Sequence, residues 1–289
     1  MGRKTVDGYA NYTAGILAKK TLIHIVCIFL AILSIAPFYL MVVNATSSSL
    51  QIRMGLNYFF GSSLAANYKV LMDQSFFNFY DGFISSFIIA ASATFLSCYF
   101  STLAAYSIIV YDYKLRKAAY AFILGVMMIP SMVSSAGFVD MVYKWNMYDT
   151  YWPLIIPAIA APAVVFFMKQ YMEGALPLEI VEASRIDGCS EFGTFNRIAL
   201  PIMKPAIATQ AIFGFITNWN QLFMPSMILS SMEKKTMPML VEILKSNRYK
   251  TEYGTVYLGL TITIIPMFVV YIFLSRYIIA GVALGSLKE

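Results

Sequence analysis

Charge is what this sequence has little of. Lys, Arg, Asp and Glu make up 12% of its 289 residues, about half the share that keeps the surface of a soluble domain wet. Cysteine is scarcer still. Cys27 and Cys98 fall inside apolar runs and Cys189 in a polar stretch, so no pair offers a disulfide framework or a zinc site; the three thiols read as packing residues. The single histidine, His24, has no acidic companion in its own apolar run, which fits an interfacial or packing role better than a proton relay. HExxH, GxSxG and metal-ligand clusters are missing, so hydrolase chemistry is not expected. A GxxxxGK[ST] phosphate loop is missing too, so ATP hydrolysis by that chemistry needs another chain. With no repeat, low-complexity tract or linker, residues 1–289 read as a single membrane domain.

Apolar runs fill the space that charge leaves, since 59% of the residues are hydrophobic. A spanning helix needs about 20 mostly apolar residues, because the hydrocarbon core is about 30 Å thick and each residue rises about 1.5 Å. Six runs qualify, at 22–43, 83–110, 118–139, 151–168, 205–229 and 258–279. The expectation is therefore an all-α integral membrane protein of about six transmembrane helices. The first run holds 14 Leu, Ile, Val or Phe and no acidic residue, Lys or Arg; at about −0.3 to −0.6 kcal/mol each it inserts unaided. It is too long for the core of a cleaved signal peptide, and Arg3, Lys4, Lys19 and Lys20 precede it. The fourth run carries Pro153, Pro157 and Pro162, each without a backbone donor, and is expected to be kinked or irregular. Pro37, Pro130, Pro225 and Pro266 interrupt other runs. Lipid tolerates such breaks only where neighbouring helices or a watery cavity satisfy the freed carbonyls, which favours a bundle around a pathway.

With the N-terminus inside, the inner segments hold 13 Lys and Arg and the outer ones 8, over equal lengths of 78 residues. The bias puts both termini in the cytoplasm. A net charge of +6 is then a matter of orientation rather than of nucleic-acid binding. Lys234, Lys235, Lys245, Arg248 and Lys250 weaken that bias, because they place five cations in the outer segment 230–257. Either this segment touches a partner's acidic face or its Glu233, Glu242 and Glu252 make it a balanced, solvated loop.

The polar segment 172–204 separates the fourth and fifth runs and reads as helix, turn, helix. Pro177 suits a first helical position, Glu179 and Glu182 an N-terminal half, and Gly188 a left-handed stop. Ser190 can cap the next helix and Glu191 complements its dipole. Phe192, Phe195 and Ala199 form an apolar stripe at i, i+3 and i+7, and Leu200 before Pro201 is the expected end. Such an element either docks in a partner's groove or lies on its own membrane surface.

A resemblance favours docking. PLEIVEASRIDGCSEFGTFNRIALP resembles the EAA loop of permease subunits of prokaryotic ATP-binding-cassette importers, with Glu182, Ala183, Ser184, Asp187, Gly188, Phe195, Ile198, Leu200 and Pro201 at the matching positions. Ser184 stands where the third Ala is usual and Cys189 where a small residue follows Gly. NWNQLFMP at 218–225, LAANYKVLM at 64–72 and the C-terminal SRYIIAGVALGSLKE resemble the carbohydrate branch, specifically the smaller permease of maltose-type transporters. The resemblance runs from Pro37 to the end. It implies a second, different permease subunit, two ATPase subunits that bind ATP and Mg on their own chains, and an extracellular solute-binding protein that delivers the sugar. It also implies a multi-pass location in the cell membrane, a cytoplasmic coupling loop containing Glu182, Ala183, Ser184, Asp187, Gly188, Phe192, Phe195 and Pro201, and no cofactor on this chain. Asn218, Trp219, Asn220, Gln221 and Phe223 are the candidates for the substrate pathway, because polar groups inside a span face the bundle interior; the bland reading, interhelical glue between the two permease subunits, has somewhat the greater weight. The competing function is a secondary transporter working without an ATPase, which the near absence of charge inside the runs disfavours.

Overall fold

A computed structural model describes residues 3–72, 78–246 and 252–285. Every regular element among them is a helix. In chain order these are α1 (Arg3–Ala45), α2 (Ser49–Met54), α3 (Leu64–Met72), α4 (Phe79–Val110), α5 (Arg116–Met127), α6 (Ser131–Lys144), α7 (Trp152–Ile155), α8 (Pro162–Ala175), α9 (Leu178–Ile186), α10 (Glu191–Thr194), α11 (Leu200–Ile202), α12 (Lys204–Trp219), α13 (Phe223–Ile228), α14 (Met237–Ser246) and α15 (Tyr253–Gly285).

The chain forms two compact units, Met1–Leu71 with Arg248–Thr261 and Met72–Asn247 with Ile262–Glu289. In the first, buried Asn67 is the organising residue. Its Nδ2 donates to the carbonyls of Ala45 (2.8 Å) and Ser47 (3.0 Å), and its own carbonyl accepts from Thr255 Oγ1 at 3.5 Å. A Cβ on Gly254 would collide with Asn67 and the Ser47 carbonyl, so only glycine allows this approach. A reciprocal Ser48–Gln51 capping box starts α2. The NY segment singled out in the sequence thus supports a chain reversal.

In the second unit α4 is central, packed by α8 and α12. Its buried face is built of small and hydroxylated residues, among them Ser85, Ala90, Ala93, Thr94, Ser101 and Ala105, which let helices approach closely in an apolar medium. Gly214 on α12 sits against Thr94 in this way.

Among the described residues four stretches are long and apolar enough to cross a bilayer: Lys19–Ala45, Phe79–Val110, Trp152–Ala175 and Tyr253–Arg276. A fifth arises if Glu191–Ile202 and Lys204–Trp219, bent by 77°, count as one. The expected run at 118–139 is divided into α5 and α6, of 12 and 14 residues, because Pro130 adopts an extended backbone and starts a new helix. The run at 205–229 is likewise divided, into α12 and α13. The run at 151–168 carries the anticipated irregularity: Ala160 and Ala161 leave helical geometry ahead of Pro162.

Candidate functional site

Two regions of the second unit gather the residues singled out in the sequence. The first is the loop between α8 and α12. Leu178–Ile186 is helical, Gly188 takes φ +80°, and Ser190 Oγ accepts from Gly193 N at 3.2 Å, so the turn and the cap stand where their residue types put them. The second helix does not stop at Leu200. It widens into a π turn at 195–199, with Leu200 N donating to the Phe195 carbonyl, and runs to Ile202 before bending into α12. The stripe also divides. Phe195 (1% exposed) and Ala199 are buried, Phe195 against the rings of Tyr99 and Tyr106 at 5.7 and 5.4 Å. Phe192, in the first turn, is 68% exposed.

Ser184 is buried rather than a surface variant of alanine. Its hydroxyl meets Thr194 Oγ1 at 2.9 Å and donates to the Val181 carbonyl at 2.7 Å, tying α9 to α10. Arg185 grips Glu191 through Nε (2.8 Å) and Nη2 (3.1 Å), and Tyr111 Oη, just beyond α4, donates to Glu191 at 2.5 Å. Arg185 and then Tyr111 hold the Glu191 carboxyl below the usual carboxylate range. Burial, followed by the bond to Glu191, pushes the Tyr111 hydroxyl up to about 12. The arrangement fastens the loop to the end of a long helix. Outward it presents Glu182, Ala183, Asp187 and Pro201 with the apolar Ile180, Ile186 and Phe192, a face that polar loops avoid unless it is covered.

The second region is a cavity of about 790 Å³, lined from five directions by Ile89 of α4, Met127 and Ile129, Ser134 and Ser135 of α6, Pro157, Ala160 and Ala163, and Asn218, Gln221 and Phe223 with Pro225. Three helix breaks, at 128–130, 160–161 and 220–222, contribute to it. Proline causes them: Pro225, for example, cannot supply the N–H that would close on the Gln221 carbonyl. No charged side chain is among the described residues lining it. Asn218, Gln221 and Phe223 reach this cavity. Asn218 makes one long hydrogen bond, Nδ2 to Thr94 Oγ1 at 3.5 Å, so most of its bonding capacity stays open.

Trp219 and Asn220 do not line the cavity. Trp219 is 1% exposed, donates from Nε1 to the Thr263 carbonyl at 2.9 Å, and packs against Phe83 and Phe215, as a helix-joining residue does. Asn220 Nδ2 lies 3.1 Å from Met267 Sδ. Successive positions on a helix are about 100° apart, so neighbours such as Asn218 and Trp219 face different surroundings.

Other candidates resolve similarly. His24 Nδ1 lies 2.7 Å from the Lys20 carbonyl on an exposed surface. Lys234 is engaged within the molecule by Asp149 (3.1 Å), whose carboxylate also accepts from Ser230 N, Ser231 N and Ser231 Oγ. Burial would raise the Asp149 carboxyl, and these donors outweigh it and hold the group well below its ordinary value. Glu242 pairs with Lys245 and Glu252 accepts from Ser49. Arg248 and Lys250 lie outside the described residues, as does the end of the tail at 286–289. Sequence reasoning passed over Tyr111, Asp149, Arg185, Thr194, Ser134 and Ser135, whose roles come from contacts distant in the chain.

Broken helices round an uncharged cavity, joined to an ordered external loop, define a membrane permease. The chain belongs to the family described as the binding-protein-dependent transport system inner membrane component, which it matches over residues 98–283. It is 37% identical over 193 residues to an arabinooligosaccharides transport system permease protein of Halalkalibacterium halodurans, covering 67% of this chain and 68% of that protein. It is 32% identical to a lactose transport system permease protein of Rhizobium radiobacter, covering 89% and 92%. A solved bacterial ABC transporter involved in the import of the acidic polysaccharide alginate has a chain of the same fold, with TM-score 0.76 at 18% identity over 90% of this chain and 96% of that one.

Proposed function

We propose that the chain is one of two different membrane-spanning subunits of an ATP-driven importer, and forms half of the pathway for a carbohydrate of the oligosaccharide class. The observation that carries this reading is the convergence of three helix breaks on one uncharged cavity. Broken backbone at membrane depth is tolerated where it lines a water-filled space, and its freed peptide groups, together with Asn218, Gln221, Ser134 and Ser135, suit a ligand made of neutral hydroxyls. Phe223 supplies an apolar surface for a sugar ring. The names of the relatives, which transport arabinooligosaccharides and lactose, point to the same ligand class.

The loop at 172–204 is the coupling element on this reading. Its apolar Ile186 and Phe192 and acidic Glu182 and Asp187 dock on an ATPase subunit in the cytoplasm, where both termini also lie, and ATP and Mg stay on that partner. ATP binding closes the ATPase pair, the docked loop moves, and the tie from Glu191 to Tyr111 passes the motion to α4. An extracellular binding protein delivers the sugar, and residues 1–289 act as one membrane domain of about six spans. The test is gentle detergent extraction of the tagged chain from its native cells, with identification of co-purifying proteins and assay of ATPase activity and oligosaccharide uptake. A second permease and an ATPase should accompany it. Solute transport by the chain alone in liposomes would overturn the reading.

A further inference from the structure

We propose that the chain carries a binding site for the headgroup of an anionic phospholipid, where the end of α4, the start of α5 and the middle of α8 meet. Two adjoining cavities of about 260 and 410 Å³ share Arg116 and Lys117. Lys114 lines one and Lys169 the other, so four cations face two carboxylates, Asp112 and Glu173.

Glu173 offsets Lys169, but Asp112 offsets little of the charge on the other three cations. Arg116 reaches Asp112 only at 3.9 Å, and Asp112 is 96% exposed, a pairing that water screens almost completely. Glu173 pairs with Lys169 alone. Lys114 and Lys117 have no ion-pair partner among the described residues. Lys169 is largely withdrawn from water, 15% exposed, with its ammonium 4.8 Å from the centre of the Tyr120 ring. Lys169 and Glu173 therefore form a fixed, partly withdrawn ion pair that makes one wall of the cavity, and the charge left uncompensated is that of Lys114, Arg116 and Lys117.

A second observation points to the same ligand. The twelve-residue helix α5 begins at Arg116 behind Leu115, which makes no capping hydrogen bond through its side chain. The first turn of a helix carries unsatisfied N–H groups and partial positive charge, suited to a phosphate. Ile108 and Ile109 at the end of α4 give the smaller cavity an apolar wall, and Tyr113 lines the other. Phosphate donors above and aliphatic side chains at the end of a membrane helix match a lipid, whose headgroup and acyl chains part at that level, better than a free anion. Cations serving only orientation would need neither cavity nor burial. Tyr111, the residue after α4, holds Glu191 of the loop, so the lipid would sit at the end of the molecule from which the loop projects.

The test uses the chain with its co-purifying subunits in nanodiscs of equal phosphatidylglycerol and phosphatidylcholine, with retained lipids counted by native mass spectrometry. The wild-type complex should retain phosphatidylglycerol preferentially. Lys117→Gln, an exposed position whose complex yield should be unchanged by size exclusion, should weaken that retention about fivefold, the equivalent of about 1 kcal/mol per cation near an anionic surface. Arg116→Gln with Lys117→Gln should weaken it tenfold or more on the same scale. Equal retention of the two lipids, or unchanged retention in both variants, overturns the proposal. Displacement of the lipid by excess inorganic phosphate also overturns it, as the site would then be one for a soluble anion.

Discussion

The loop and the cavity treat their polar groups in opposite ways. In the loop the polar groups that join its helices are partnered: Ser184 with Thr194, Arg185 with Glu191, Glu191 with Tyr111 and Ser190 with Gly193. In the cavity Asn218 makes one weak bond and Gln221 presents a carboxamide at a helix break. Satisfied polar networks rigidify, and open ones await a ligand. On the proposed function, the loop transmits force without changing shape and the cavity is filled and emptied.

The largest effect that would break this contrast is expected from Gly188→Pro. Proline fixes φ near −65°, whereas Gly188 needs +80°, so the turn cannot form. Uptake of labelled oligosaccharide should fall to background while abundance in the membrane, by immunoblot, stays near normal. Normal uptake would remove the loop from the coupling path.

Next comes a pair of variants that separates packing from recognition. Trp219→Ala removes a buried ring, a change that costs about 3–5 kcal/mol in a core, and should lower complex yield and uptake in parallel. Gln221→Ala lies in the cavity and should leave yield unchanged while raising the apparent KM for uptake, by roughly tenfold for the loss of one hydrogen bond to a ligand. Equal losses in yield and uptake for Gln221→Ala would make it helix glue instead.

The smallest effect belongs to Glu191→Gln. The carboxylate is half exposed, so its ion pair is worth only about 0.2–1 kcal/mol, and the ratio of transport to ATP hydrolysis should fall by no more than about fivefold. Its carboxyl is depressed by Arg185 and Tyr111, so the tie is at full strength above the ordinary carboxylate range, near pH 4. It weakens only as pH falls through the lowered value. Substrate-stimulated ATPase in proteoliposomes should therefore keep its coupling ratio from neutral pH down to that range in the wild type. A ratio that already declines near pH 6 would show that another group controls the loop.

The parts of this fold that were legible are those with local causes. Gly188 and Ser190 announced a turn and a cap because glycine tolerates positive φ and serine competes for free N–H groups. Prolines at 130, 162 and 225 stand at breaks because they lack a donor, whereas the expected interruptions at Pro37 and Pro266 are absent, since α1 and α15 continue through them. The sequence also yields the apolar runs, but not their division: 118–139 reads as one span and is two helices, since composition averages over a break that one residue causes. Within 218–223 the residues divide: Asn218, Gln221 and Phe223 line the cavity, while Trp219 and Asn220 contact another helix. Periodicity alone did not separate them because it does not say which neighbour occupies which side.

What the sequence by itself determined is the membrane as solvent, the helical class, the breaks near Pro130, Pro162 and Pro225 and the turn at Gly188, all consequences of hydrophobicity and backbone chemistry within a few residues. Only the tertiary structure decided that the three breaks share one cavity, that Trp219 faces Thr263 while Asn218 and Gln221 face open space, and that Tyr111 fastens the loop. These depend on bringing together residues up to 132 positions apart, such as Ile89 with Gln221. Such contacts are set by shape and hydrogen bonding across helices, and leave no periodic trace along any one of them.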